Sequence, residues 1–363
     1  GSMKRGRGEI VSHNGVGQVS TVKRSREDTS ALAKVVRTSD LLAPIVKLRG
    51  HDGGVNAVEF SKDGKHLVSA SSDKRLFLWN VFGDAENYAV LQGHSHSVQD
   101  ASWSTDGEYV VSCSADKTVR WWDCNTADCI RVLNGHNAYV NCCAYSGILA
   151  SSGIVASGGD DKTVRTWDPR TSKKCVQTLK HPFEVTSLCY IAPEETPVPL
   201  LFSGGIDGAI RAWDLRKSNV AFSISEKKQS DGIITGLCCS SDSSYVLSNA
   251  SDGSVCTWDV RAFVKKSKGS RFIRKFNYGS SPGPGENYEN VLLGCTISND
   301  CKRVAVGMCD RTVPIWNAGN GDLEFRLPGH TGAVMDVSFH PEQSIIASCS
   351  LDKTIYLGEI DDK

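Results

Sequence analysis

Gly93-His94, followed by Ser112-Cys113-Ser114-Ala115-Asp116-Lys117-Thr118-Val119-Arg120-Trp121-Trp122-Asp123, sets a Ser, an Asp and a Trp 18, 22 and 28 residues after a His. The order recurs along the chain. An Asp with a Trp six residues on occurs at Asp73/Trp79, Asp116/Trp122, Asp161/Trp167, Asp207/Trp213, Asp252/Trp258 and Asp310/Trp316, which uses six of the eight Trp. A seventh copy begins at Asp352 and ends in Gly358-Glu359 where the others have Trp and Asp or Asn. Successive Asp positions differ by 43, 45, 46, 45, 58 and 42 residues. That matches the ~40–45-residue period of propeller blades and no shorter solenoid period. Apolar and polar residues alternate around each Asp, and Gly, Asn, Asp and Ser separate the runs, so each unit reads as short antiparallel strands joined by tight turns.

The His of the pattern stands at His51, His94, His136 and His330 after a Gly, and at His181 after Lys180. Four residues before the Asp sits Ser69, Ser112, Ser157, Ser203, Ser248 or Ser348, while the sixth copy has Val306. These features resemble the WD-repeat family of β-propellers, which implies an all-β fold of seven four-stranded blades around a central channel. The resemblance runs from about Pro44 to the C-terminus. A Ser, a His and an Asp together also suggest a hydrolase triad. The recurrence of the set argues otherwise, since an enzyme needs one activated nucleophile in one cleft. We therefore expect a structural network in which the Asp holds the His, the His meets the Ser, and the Ser takes the indole N–H: His51, Ser69, Asp73 and Trp79; His94, Ser112, Asp116 and Trp122; His136, Ser157, Asp161 and Trp167; His181, Ser203, Asp207 and Trp213. The fifth and sixth copies have Ser230 and Tyr288 where the His would fall and are expected to be weaker blades.

Composition narrows the classes further. The 363 residues carry 41 Lys+Arg against 41 Asp+Glu and are 40% apolar, as expected of a globular protein. No run approaches the ~18 apolar residues of a membrane span, and no secretory leader pattern opens the chain. Gly1 and Ser2 before Met3 read as a cloning remnant. Fourteen Cys without a C-x-x-C pair argue against a disulfide framework or a zinc ribbon. Cys142-Cys143 and Cys238-Cys239 fall on innermost strands, where neighbours face opposite ways and cannot clasp one metal, so they read as small apolar fillers. No phosphate-binding loop, nucleophile elbow, zincin or dinucleotide motif occurs. No catalysis, cofactor, metal, small-molecule substrate or membrane is expected.

Residues 1–43 read as a disordered basic tail, with eight basic and four acidic residues between 3 and 43, and residues 44–363 as the propeller. Lys4-Arg5-Gly6-Arg7 and Lys23-Arg24-Ser25-Arg26 are candidate nuclear-import or RNA-contacting patches. The remaining 33 basic and 37 acidic residues give a net charge of −4, so RNA contact by the disc itself is expected to be indirect. The last copy lacks a strand, and Ile45-Val46-Lys47-Leu48 is expected to complete it and close the ring. In the long 58-residue step, Arg271–Phe276 fits the outer strand of blade 5.

A rigid disc with loops on two faces points to binding. Loops after each His and turns before each Asp supply a candidate partner-binding rim of His96, Tyr139, Asp160, Phe183 and Ile206. Strings such as Asn80–Tyr88, Ser203–Asp207, Leu247–Ala250 and the ending Tyr356-Leu357-Gly358-Glu359-Ile360 resemble one branch of the family, the propellers of the U5 small nuclear ribonucleoprotein. That resemblance implies a nuclear pre-mRNA splicing factor, monomeric in isolation, which binds the very large U5 scaffold protein and other U5 proteins. A rival reading comes from Trp-Asp-x-Arg at Arg170, Arg216 and Arg261, which resembles the motif by which some propellers dock as substrate receptors on the adaptor of a cullin-RING ubiquitin ligase.

Overall fold

A computed structural model describes residues 8–10, 39–146, 153–168, 171, 175–191, 200–217, 219–224, 232–261, 271–277 and 293–360. These contain 29 strands and no helix. They form seven separate antiparallel sheets, the blades of a β-propeller. Blade 2 shows the plan: Val98–Trp103 innermost, then Tyr109–Ser114, Thr118–Asp123 and Cys129–Asn134 outward. Val110, Val111 and Val119 are fully buried, whereas Ile130 and Val132 on the outer strand are exposed. Burial therefore peaks in the second and third strands and falls both at the outer strand and at the axis, where Gln99, Asp100 and Ser102 of the innermost strand are only partly buried.

The innermost strands carry a register shift at the same place in six blades, for example between Val98 and Asp100 and between Val334 and Asp336. Such a bulge bends and twists the strand. Side chains next to the shift then reach the following blade. Asp336 accepts the Val58 N–H at 3.0 Å, Asp100 that of Cys143 at 2.9 Å, and Ser187 that of Leu237 at 2.8 Å. Asn56 and Asn141 donate to Val98 and Val185 carbonyls at 2.7 and 2.9 Å. Innermost strands thus satisfy across blades the backbone groups they cannot pair within them. Around the axis they line a cavity of about 690 Å³.

Ile45–Arg49 pairs with Thr354–Glu359 and supplies the missing strand of blade 7. Val46 and Leu48 are buried beside Ile355 and Leu357 in one cluster with blade 1, so both ends of the chain share a blade. The expected boundary at residue 44 moves. Leu41 and Ala43 belong to the same cluster, and Asp40 exchanges two hydrogen bonds with Gln343. Gly8–Ile10 also departs from the expected disordered tail, because it pairs antiparallel with Ile45–Arg49 as a fifth strand of blade 7. The Lys23–Arg26 patch, Ser230, Tyr288 and Arg170 lie outside the described residues. In the long step Phe272–Phe276 is the outer strand of blade 5, as its alternation predicts.

Candidate functional site: blade networks and the loop rim

In blade 2 the Nδ1–H of His94 donates to Asp116 Oδ2 at 2.7 Å. Its Nε2 accepts the Ser112 hydroxyl at 2.8 Å, and that oxygen accepts the Trp122 indole N–H at 2.8 Å. Blade 1 repeats this through His51, Asp73, Ser69 and Trp79 at 2.8 to 2.9 Å, and blade 3 through His136, Asp161, Ser157 and Trp167 at 2.7 to 2.9 Å. Blade 7 keeps His330, Asp352 and Ser348 at 3.0 to 3.1 Å and turns the Tyr356 ring edge-on to the His, 4.7 Å between centroids. Burying an indole removes ~150–250 Å² from water, on the order of 4–6 kcal/mol at most, against ~1 kcal/mol net per hydrogen bond. Packing thus supplies the stabilisation, and the bonds fix which way the groups point.

The Asp carries a second task. Its Oδ1 caps the backbone N–H two residues on in all seven blades, from Arg75 at 3.0 Å through Ala209 at 3.4 Å to Thr354 at 3.0 Å. The residue between is left-handed every time: Lys74, Lys117, Lys162, Gly208, Gly253, Arg311 and Lys353, with φ between 58° and 76°. The Asp side chain makes the Asx turn that holds that conformation, which is why the Asp persists in blades 5 and 6 without a His. Burial raises the Asp116 carboxyl, but bonds from His94, Thr118 and the Ser95 N–H outweigh it and hold the group well below the usual carboxylate range.

Blade 4 does not build the expected relay. Asp207 pairs with Arg211 at 2.5 and 3.1 Å, and Arg211 also donates to His181 Nε2 at 3.2 Å, while His181 Nδ1–H donates to the Phe183 carbonyl at 2.7 Å. Ser203 still accepts the Trp213 N–H at 2.7 Å. The residue before the His explains the difference. In blades 2 and 3 a Cβ on Gly93 or Gly135 would come 2.4 or 2.8 Å from the guanidinium of Arg120 or Arg165, which lies over that glycine. Lys180 fills the place in blade 4, and Arg211 folds back onto the Asp instead. Blade 6, with Val306 for Ser, sends its Trp316 N–H to the Asn277 carbonyl at 3.3 Å and its Asp310 to Arg326 at 2.6 Å.

The networks position the rim. Asp Oδ2 also accepts the N–H of the residue after the His, Ser95 at 3.0 Å and Asn137 at 3.1 Å, so the loops carrying His96 and Tyr139 start from a fixed point. His96 is exposed and bonds Ser95. Tyr139 is 53%, Phe183 44% and Ile206 42% exposed, so each presents apolar surface to solvent at the rim. Asp160 accepts from Asn141 at 2.7 Å and bonds the Tyr139 carbonyl through its N–H; the Ile206 N–H likewise reaches Glu184 O at 3.3 Å. Glu184 pairs with Lys162 at 3.3 Å and links the loops of blades 3 and 4. Tyr139, Asp160, Phe183 and Ile206 thereby share one stretch of one face, with His96 on the blade 2 loop of that face. Leu351, immediately before Asp352 in the matching turn of blade 7, is 45% exposed and extends the rim by the same rule that picks out Asp160 and Ile206.

Arg216 and Arg261 lie on the opposite face, since the third strand runs from the Asp turn at one face to the Arg at the other. Arg261 pairs with Asp259 at 2.5 Å and Arg216 with Asp214 at 3.4 Å. The Arg216 bond holds Asp214 below the usual carboxylate range; at Asp259 burial raises the group and Arg261 outweighs it.

A WD-repeat propeller is the class these features define. The family described as "WD domain, G-beta repeat" matches residues 42–80, 85–123, 127–168, 173–214, 223–259 and 321–357. The longest interval between matches, 260–320, holds the first three strands of blade 6, the blade with Val306 for Ser. Over 358 residues the chain is 38% identical to the human U5 small nuclear ribonucleoprotein 40 kDa protein, covering 99% of this chain and 95% of that one. It is 35% identical to the Dictyostelium discoideum protein of the same name, at 97% of both. The Schizosaccharomyces pombe pre-mRNA-splicing factor cwf17 is 38% identical over 93% of this chain and 95% of its own. The chain belongs to the WD-repeat family of these U5 40 kDa proteins.

Proposed function

We propose that the chain is a non-catalytic scaffold subunit of the U5 small nuclear ribonucleoprotein that works in pre-mRNA splicing in the nucleus. It binds the large U5 scaffold protein through the rim of His96, Tyr139, Asp160, Phe183 and Ile206, and touches RNA through other proteins or its basic N-terminal segment. The observation that carries the reading is the rim itself, aromatic and aliphatic side chains standing exposed on loops anchored by buried networks. Aromatics held so are the anchors of protein interfaces. Relatives named for the U5 particle and for splicing, alike over nearly the full length, support the setting. Catalysis has no support in the repeated relay, where in blades 1 to 3 each Ser hydroxyl lies buried between a His and an indole.

Affinity purification of the tagged chain from nuclear extract tests the proposal. U5 RNA and U5 proteins should co-purify. Recovery of a cullin and its adaptor without U5 components would favour the docking reading through Arg216 and Arg261, and Arg216→Ala with Arg261→Ala should then abolish it.

A further inference from the structure

Where blade 2 meets blade 3, a carboxylate oxygen of Asp100 and the sulfurs of Cys113 and Cys143 all lie within 4.8 Å of one another. Three strands contribute: the innermost of blade 2, the second of blade 2 and the innermost of blade 3. Reading neighbours within one strand missed the group, because Cys143 turns from Cys142 toward the blade 2–3 core and meets a Cys of another blade. A tetrahedral Zn²⁺, with bonds of about 2.3 Å to sulfur and 2.0–2.2 Å to oxygen, needs ligand atoms roughly 3.5–3.8 Å apart. Side-chain shifts of about 1 Å close the set to that spacing.

The surroundings suit a ligand site. Backbone N–H groups of Ala101 and Cys143 hold the two carboxylate oxygens of Asp100 at 2.8 and 2.9 Å, the outer-shell support that orients metal ligands. Cys113 is fully buried and Cys143 nearly so, while Asp100 and Cys143 border the axial cavity. That cavity offers an entry path and room for a water. The chain also contains its own comparison. At the junction of blades 7 and 1, Asp336 accepts the Val58 N–H at 3.0 Å, and buried Cys349 follows Ser348 as Cys113 follows Ser112. There Val58 stands in the place of Cys143. The Asp and the first Cys are thus a recurring arrangement, and Cys143 alone completes a ligand set; the described residues hold no other such group of three.

We propose that Asp100, Cys113 and Cys143 bind one borderline-soft divalent cation of the Zn²⁺ class, with a channel water as fourth ligand. The cation takes two thiolates and a carboxylate, so two thiol protons pass to solvent and the site keeps one net negative charge. Bound, it joins blades 2 and 3 by a bridge that no other junction has among the described residues.

The test titrates Zn²⁺ into the full-length, reduced, metal-stripped chain against a competing chelator, with Cd²⁺ as a spectroscopic probe of thiolate bonds. One tight equivalent, two protons released per metal and a thiolate-to-Cd²⁺ absorption band are expected. Cys143→Val copies the residue blade 1 already uses and should bind at least about 100-fold more weakly while melting like the metal-free parent. Asp100→Asn, the second variant, should weaken binding about tenfold and keep the band. The proposal is overturned if the parent shows no tight equivalent, or if both variants bind as tightly as the parent, which would place the metal on other thiols.

Discussion

Asp116 shows how much one side chain does in this repeat. One oxygen holds the left-handed turn at Lys117 and the other holds His94 and the loop after it. Asp116→Ala leaves buried donors unpaired and should cost about 2–3 kcal/mol, read as a lower melting temperature; a variant melting like the parent would refute the network. The left-handed Lys makes the opposite prediction. A non-glycine residue there costs roughly 1 kcal/mol, partly offset by the freedom Gly adds to the unfolded chain, so Lys117→Gly should stabilise by about 0.5 kcal/mol in denaturant unfolding. Lys117→Val should destabilise instead. Asp, Ser and Trp spacing made the relays of blades 1 to 3 readable, because each partner sits at a fixed distance along the chain. The blade 4 departure was not readable the same way, since it depends on whether Arg211 finds a glycine or Lys180 across from it. Likewise Asp100, Cys113 and Cys143 are far apart in sequence and meet only where two blades pack.

At the scale of strands, closure of blade 7 by Ile45–Arg49 follows from counting, since the last copy lacks an outer strand. Val46 and Leu48 are buried there, each stabilising the ring by about 1.5–3 kcal/mol. Removing residues 1–49 should strip this packing, leave Thr354–Glu359 as an open edge and cause aggregation during size-exclusion chromatography. A soluble, monomeric truncation would contradict the role given to the strand. The strand Gly8–Ile10 escaped the sequence reading because three residues among basic and glycine-rich neighbours show no alternation. Ser-x-Asp turns on the far face were passed over too: Ser61/Asp63, Ser240/Asp242 and Ser298/Asp300 bond at 2.5 to 2.6 Å, and Ser104 bonds Asp106 in the same way. Their signal, a Ser two residues before an Asp, is short enough to be lost in a Ser-rich chain.

The molecule as a whole has an acidic side to its channel. Asp336 and Glu59 reach the axial cavity from blades 7 and 1. Burial raises both, Asp336 to about 8 and Glu59 to about 7, with Asp100 adding to each; Glu59 adds further to Asp336, and backbone N–H groups of Val58 and Trp103 act against the rise. A carboxyl raised above its unfolded value binds its proton more tightly when folded, so stability falls as pH climbs toward the folded value. Between about pH 5 and 7, inside the interval from the ordinary carboxyl value to about 8, Asp336 should contribute a loss of about 1.4 kcal/mol per pH unit that tapers off around pH 8, seen as a falling melting temperature that Asp336→Asn flattens. An unchanged slope in that variant would assign the pH dependence elsewhere.

The ring exists, on this account, to present loops, and those of blades 3 and 4 carry the exposed aromatics. The most direct measurement compares the parent with a Tyr139→Ala, Phe183→Ala, Ile206→Ala variant, both checked for equal melting temperature, in recovery of U5 proteins and U5 RNA from nuclear extract. Recovery with the parent and its loss by at least about tenfold with the variant is the predicted result. Equal recovery by both, or none by the parent, would contradict the assignment of this rim as the U5 docking face.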